Sequence, residues 1–197
     1  VVSIEHFDKK LDKIFSELDT LGKKILSYIS IFLGLNTNWF ENKINQGNSI
    51  LRLIHYPPIE DSSNVLRARA HEDINLITLL VGAEESGLEV QNPNDEWIPI
   101  AAKSKSIVCN IGDMMQLVTR SKLKSTSHRV VDHNSSSSAS RYSMPFFLHP
   151  SPEIELCSIV DDSTESIITD NPIMEPISIY NKESDSWNIL RQSINRA

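Results

Sequence analysis

"RARAHEDINLITLL", residues 67–80, runs into an apolar, strand-like segment through three consecutive titratable side chains, His71, Glu72 and Asp73. Charged groups inside a sheet are paired or hold a metal, and otherwise mark a solvated strand start. A strand puts residues i and i+2 on one face, with Cα atoms roughly 6.7 Å apart. On a strand, His71 and Asp73 therefore aim an imidazole and a carboxylate at one point, while Glu72 faces away. A third ligand has to come from another strand, and "KSTSHRVV" supplies His128, 55 residues after Asp73. Two imidazoles and one carboxylate on one face of an octahedron leave three adjacent positions open. That set suits non-haem Fe(II) holding a chelating co-substrate together with dioxygen. "HFD" at 6–8 has the same spacing but lies in a helical pattern, where i and i+2 point apart, and is discounted.

Around this stretch the texture is β throughout residues 50–150. LRLIHY (51–56), VLRARA (65–70), NLITLLV (75–81), GLEVQ (87–91), EWIPI (96–100), SIVCNI (106–111), MMQLV (114–118), TSHRVV (126–131) and RYSMPFFLH (141–149) each read as short strands. Turn residues in ESG, NPND and IGD separate them, with no helical segment between, which predicts an antiparallel sandwich or barrel. "HNSSSSAS" (133–140) is a low-complexity surface loop. Upstream, Ile4, Phe7, Leu11, Ile14, Leu18, Leu21, Ile25, Tyr28 and Phe32 recur in steps of three and four, the stripe of one long helix with Gly34 as its stop. The heptads end there after about four, so a helix docked on its own domain is preferred to a coiled-coil dimer. Downstream, "DNPIMEPISIY" predicts an extended segment and 184–196 a closing helix. The organisation expected is a helical segment over 1–49, a core over 50–157 and an extension of the same domain over 158–197.

A second pair sharpens the chemistry. In "SRYSMPFF", Arg141 and Ser143 are again i and i+2 on a strand. A guanidinium fork beside a hydroxyl clamps a carboxylate, and an anionic partner gives an inward-pointing Arg its reason to be there. Bulk properties narrow the classes further. A chain of 197 residues, 40% hydrophobic, is long enough for one compact domain. A formal net charge of −7 argues against a nucleic-acid partner. No run approaches the roughly 20 apolar residues that span a bilayer, so no membrane partner is expected. "VVSIEHFDKK" has neither an initiator Met nor a basic stretch leading into an apolar one, so the expectation is a fragment without a secretory signal. Cys109 and Cys157 form no CxxC pair, and a reducing cytoplasm is the simplest setting.

HxD, a His about 55 residues on, and RxS about a dozen residues beyond that together resemble the Fe(II)/2-oxoglutarate-dependent oxygenases, in their isopenicillin N synthase-like branch. "LRLIHYPP" is similar to the strand of that branch that ends in Tyr-Pro-Pro, which maps the tyrosine to Tyr56. "GLEVQNPNDEWIPI" and "NIGDMMQLVTRSKLKSTSHRVV" are similar to two of its hairpins. The sequence departs from the pattern at Ile54, where an Asn is frequent, and at Arg120, where an Asn follows the Thr.

The resemblance implies a double-stranded β-helix (jelly-roll) core packed against the long N-terminal helix. It implies Fe(II) on His71, Asp73 and His128, with 2-oxoglutarate held at its far carboxylate by Arg141, Ser143 and Tyr56. O2 is then the co-substrate, and the reaction is oxidation of a C–H bond in a small-molecule substrate, releasing succinate and CO2. Two other readings stay open: an iron oxidase or cupin-like metalloenzyme that does not use 2-oxoglutarate, and a non-catalytic or truncated jelly-roll binding protein. His55, His133 and His149 are expected to pack or to be solvated rather than to ligate. Phe146, Phe147, Met114 and Met115 are expected in the core. The prime substrate and the oligomeric state are not readable from the sequence.

Overall fold

The structure is a computed structural model that describes residues 6–58, 66–81, 87–100, 106–131 and 140–159, together with the backbone of 174–176. In chain order its elements begin with helices α1 (Phe7–Phe32) and α2 (Glu41–Ile44). The strands β1 (Ile50–Leu51), β2 (Ile54–Tyr56), β3 (Leu66–His71), β4 (Ile77–Val81), β5 (Leu88–Gln91), β6 (Trp97–Pro99) and β7 (Ile107–Ile111) follow. Helix α3 (Asp113–Val118) then precedes β8 (His128–Val131), β9 (Arg141–Leu148), β10 (Cys157–Ile159) and β11 (Met174–Pro176).

Two antiparallel sheets carry the molecule. One runs β1-β9-β4-β7, with β2 also pairing along β9; the other runs β3-β8-β5-β6. This mainly antiparallel β architecture with few helices is that of a jelly roll. β10 and β11 form a separate two-stranded ribbon. The fully buried side chains include Leu26, Phe40, Leu76, Ile77, Leu79, Met115, Val118, Phe146 and Leu148, which belong to one apolar cluster. Alternation along β9 divides its two faces: Phe146 and Leu148 point into that cluster, whereas Arg141 and Ser143 lie on the other face.

α1 ends where Gly34 predicts. Gly34 adopts φ 75°, its N–H donates to the Ile31 carbonyl, and the Leu35 N–H donates to Ser30, which together form the paired bonds of a Schellman stop.

Three expectations need correction. The LRLIHY run is two short strands, β1 and β2, separated at Arg52 and Leu53. MMQLV is helical, not a strand. Met, Gln and Leu are good helix formers, and the buried set Met114, Met115 and Val118 fits one face of a helix rather than alternation. Finally, β3 stops at His71, so Asp73 lies in the loop that follows rather than on the strand. The expected helix over 184–196 and His133 lie outside the described residues.

Candidate active site

His71 closes β3 and His128 opens β8, and the two are directly opposite in the ladder. Their ring centroids are 4.3 Å apart. His71 is exposed, whereas His128 and Asp73 are buried. Asp73 Oδ1 lies 3.8 Å from His128 Nε2, and one donor atom from each of His71, Asp73 and His128 falls within 4.8 Å of the others. Thus HxD converges although only its His is on a strand. The loop turns Asp73 back toward the two imidazoles.

That loop is held by α3. The N–H groups of Gly112, Asp113 and Met114 donate to the carbonyls of Leu76, Asp73 and Ile74 at 3.0, 2.7 and 3.0 Å. Helical N–H groups without an intrahelical partner thereby find acceptors in the segment that carries Asp73. Any Cβ at position 112 would collide with the Asn75 carbonyl, so only glycine permits this approach. Asn75, itself buried, donates through Nδ2 to the Ile77 carbonyl at 2.7 Å and to Thr78 Oγ1 at 3.1 Å. Gly112 and Asn75 are positioning residues that were not evident from the sequence, although they lie within the NIGDMMQLV and HEDINLITLL stretches. Their signals were a Gly-Asp pair at a helix start and an Asn amid apolar residues.

Both imidazoles are oriented by the same local device. His71 Nδ1 meets the Arg69 carbonyl at 2.7 Å, and His128 Nδ1 meets the Thr126 carbonyl at 3.2 Å. A carbonyl can only accept, so Nδ1 donates in each ring, and a neutral ring in that tautomer presents its Nε2 lone pair. Asp73 Oδ2 is buried and has no hydrogen-bond partner among the described residues. A buried carboxylate oxygen in that state is costly unless a cation satisfies it. Two imidazole nitrogens and a carboxylate oxygen, converging within 4.8 Å with His71 exposed, fit Fe(II) by charge and by ligand type.

The second constellation forms where β2 meets β9. Tyr56 is opposite Arg141 and Ile54 is opposite Ser143 in register. Arg141 is buried, with its guanidinium carbon 5.5 Å from the centre of the Tyr56 ring. The structure thus brings together Tyr56, Arg141 and Ser143. Arg67 reaches the same corner, donating from Nη1 to the Tyr56 carbonyl at 3.3 Å.

His149 lies close enough to Asp73 to feel its charge. Burial nevertheless pushes its imidazole below the usual histidine range, against the Phe147 carbonyl and the Asp73 charge, which both pull the other way. His55 stacks on Tyr142 outside the site and bonds Ser140 through Nε2 at 2.9 Å.

A family model for the 2OG-Fe(II) oxygenase superfamily matches residues 47–150, a span that contains every residue of both constellations. The chain belongs to this superfamily. Within it the chain is of the isopenicillin N synthase-like class. The family uses Fe(II), 2-oxoglutarate and O2. The 2'-deoxymugineic-acid 2'-dioxygenase of Hordeum vulgare is 28% identical over 181 residues, which is 92% of this chain and 51% of that protein. A crystal structure of a 2OG-Fe(II) oxygenase family protein from Caulobacter crescentus matches with a TM-score of 0.76 at 36% identity, covering 98% of this chain and 60% of the other. A full-length Neurospora crassa protein crystallised with alpha-KG matches with a TM-score of 0.77 at 25% identity, over 95% of this chain and 57% of its own. The chain spans about half the length of the curated relatives it matches.

Proposed function

We propose that this chain oxidises a C–H bond of a small molecule, with Fe(II) on His71, Asp73 and His128 and 2-oxoglutarate anchored at Arg141, Ser143 and Tyr56. The observation that carries the reading is the meeting of three donors within 4.8 Å, with both Nδ1 atoms engaged by backbone carbonyls. When bound, iron and 2-oxoglutarate supply the oxidation: one oxygen atom of O2 enters succinate as CO2 leaves. The other enters the substrate in hydroxylation, or leaves as water in desaturation.

The chain's own residues do the positioning. The Arg69 and Thr126 carbonyls hold the imidazoles in the tautomer that presents Nε2. The α3 N-terminus fixes the loop that sets the Asp73 carboxylate. Arg141 offers a fixed fork to the distal carboxylate, Ser143 a hydroxyl on the same strand face, and Tyr56 a ring and phenol directly across the ladder. Such pre-organisation leaves little to be ordered at the moment of reaction.

Anaerobic titration with Fe(II) and 2-oxoglutarate tests the reading. The expected result is the metal-to-ligand charge-transfer absorbance of the ternary complex, followed by succinate release once air is admitted. A chain that binds iron but releases no succinate would belong with the 2-oxoglutarate-independent enzymes. One that binds neither would belong with the binding proteins.

We further propose that α1 braces the five-stranded sheet. In support, Phe15 meets Phe146 edge-on at 5.1 Å between ring centroids, and Leu18 and Leu26 share the apolar cluster with Leu79 and Leu148. The division into a helical segment to residue 49, a core to 157 and an extension beyond belongs to the same proposal, as does a cytoplasmic setting. No described helix is long and apolar enough to cross a membrane.

A further inference from the structure

The ladder register places the metal-binding histidines in a row with side chains that the proposed chemistry does not use. His71 is opposite His128, His128 is opposite Val90, and Val90 is opposite Ile98. Directly opposed residues share one face of a sheet, and neighbouring strands are about 4.8 Å apart. Val90 is thus about one strand spacing from His128, and Ile98 about two, or roughly 10 Å.

The other face confirms the alternation independently. Arg129 pairs with Glu89 at 2.7 Å and lies over the Trp97 ring at 4.1 Å, so Glu89, Trp97 and Arg129 are together on the side away from His128. On the His128 side the next row holds Leu88 opposite Val130, with the Ile100 N–H bonded to the Leu88 carbonyl. Leu88 is buried and Val90 half-buried, but Ile98 is 42% exposed. Moving outward from the ligands, the sheet therefore offers an accessible surface of aliphatic side chains, without a charge on that face of the Val90–Ile98 row.

We infer that Val90 and Ile98 form an apolar shelf on which the prime substrate rests, and that this substrate carries a hydrocarbon body next to the carbon being oxidised. The inference rests on the proposed iron and 2-oxoglutarate site and extends it to substrate class. A reacting C–H must lie within a few ångströms of the cation, so the adjoining part of the molecule covers the one or two strands beyond His128. Aliphatic side chains reward apolar contact there and offer no partner to a hydrogen-bonding group, which would lose water without replacement.

The test uses two neutral apolar probes of different size, cyclohexanone and camphor, and one neutral polar probe, uracil. Each is added anaerobically to the Fe(II)/2-oxoglutarate complex, whose charge-transfer band reports occupancy beside the metal. Cyclohexanone or camphor should shift the band and uracil should not. Ile98→Asp should weaken the apolar probe at least tenfold while leaving the unperturbed band intact, and Ile98→Leu should bind it as the wild type does. Three results overturn the shelf: no shift with either apolar probe, a shift with uracil that Ile98→Asp leaves alone, or an apolar shift insensitive to Ile98→Asp. A drop of several degrees in the melting temperature of Ile98→Asp without any probe also overturns it, because Ile98 is then covered by protein rather than by substrate. Absence of the band itself is a separate outcome, since it removes the iron and 2-oxoglutarate reading on which the shelf depends.

Discussion

His71 and His128 each spend Nδ1 on a carbonyl two residues earlier in the chain, so the same short-range bond sets the tautomer on both strands. On the proposed iron site, removing one ring removes a ligand that is already oriented. His128→Ala should abolish Fe(II) binding in the charge-transfer assay, while Glu72→Ala, an exposed side chain outside the convergent group, should leave it within error. Retained binding in the first, or loss in the second, would sink the ligand assignment. On the proposed anchoring, Arg141→Ala removes a charge-assisted, two-point hold worth about 1.5–3 kcal/mol, and so should raise the 2-oxoglutarate KM by about 10- to 100-fold with a smaller change in kcat. His149 bears on pH. Burial favours its neutral ring, so its folded pKa is below the ordinary 6.5. In the interval between the two values the unfolded chain binds more protons, and stability falls as pH drops through it; the full contribution is present above about 6.5. In metal-free protein, melting temperatures from about pH 7.5 to 5 should therefore fall more steeply for wild type than for His149→Gln, and parallel curves would contradict the argument. The convergence of His71, Asp73 and His128 was legible at this scale because titratable side chains are unusual beside apolar, strand-like runs. Asn75 was not legible, because a buried Asn whose partners are the Ile77 carbonyl and Thr78 looks like any polar residue until the loop is seen.

At the scale of elements, most strands were readable because turn residues punctuate short β-branched runs, and α1 was readable from its stripe and its Gly34 stop. MMQLV was misread because its neighbours are all strands, and a six-residue helix is too short to display a period. The site depends on that helix, since the N–H groups of its first two residues and of its Gly112 cap hold the Asp73 loop. The turn after it is strained. Arg120 and Ser121 have φ of 47° and 62°, consecutive positions in the left-handed region that favours Gly and Asn. The departure at Arg120 noted in the sequence thus coincides with a backbone that suits Asn better, although the Arg120 side chain recovers something through Nε to Ser158 Oγ at 3.4 Å. Ser121→Gly relieves φ without removing a bond that this turn uses. It should stabilise the chain by about 0.5–1 kcal/mol, or about 1–4 °C in melting temperature, with metal binding unchanged. A lower melting temperature would mean that the backbone there is not the source of strain.

Across the whole molecule, the sheet order could not be read from local pattern, because it joins segments distant in sequence: β1 lies on β9 and β3 on β8, through contacts that no window of residues contains. Only the spacing of His71, Asp73 and His128 carried that long-range information, since donors expected to share one cation have to meet, and these three do so within 4.8 Å. The same logic runs in reverse as thermodynamics. The three converging donors come from the end of β3, the loop held by α3 and the start of β8, so an ion bound among them would close contacts that the unfolded chain lacks. Ligand that binds only the folded state adds RT ln(1 + [L]/Kd), about 2.7 kcal/mol at a hundredfold excess over Kd. For a chain of this size each kcal/mol moves the melting temperature by about 2–4 °C. Mn(II) with 2-oxoglutarate, which avoids oxidation in air, should therefore raise the melting temperature by about 5–10 °C, and EDTA should reverse the rise. His128→Ala should show no shift. Arg141→Ala should keep the part due to metal and lose the increment that 2-oxoglutarate adds, because the two constellations occupy different strands and fail separately. If Arg141→Ala abolishes the Mn(II) shift as well, the two constellations are one coupled site and not two independent ones.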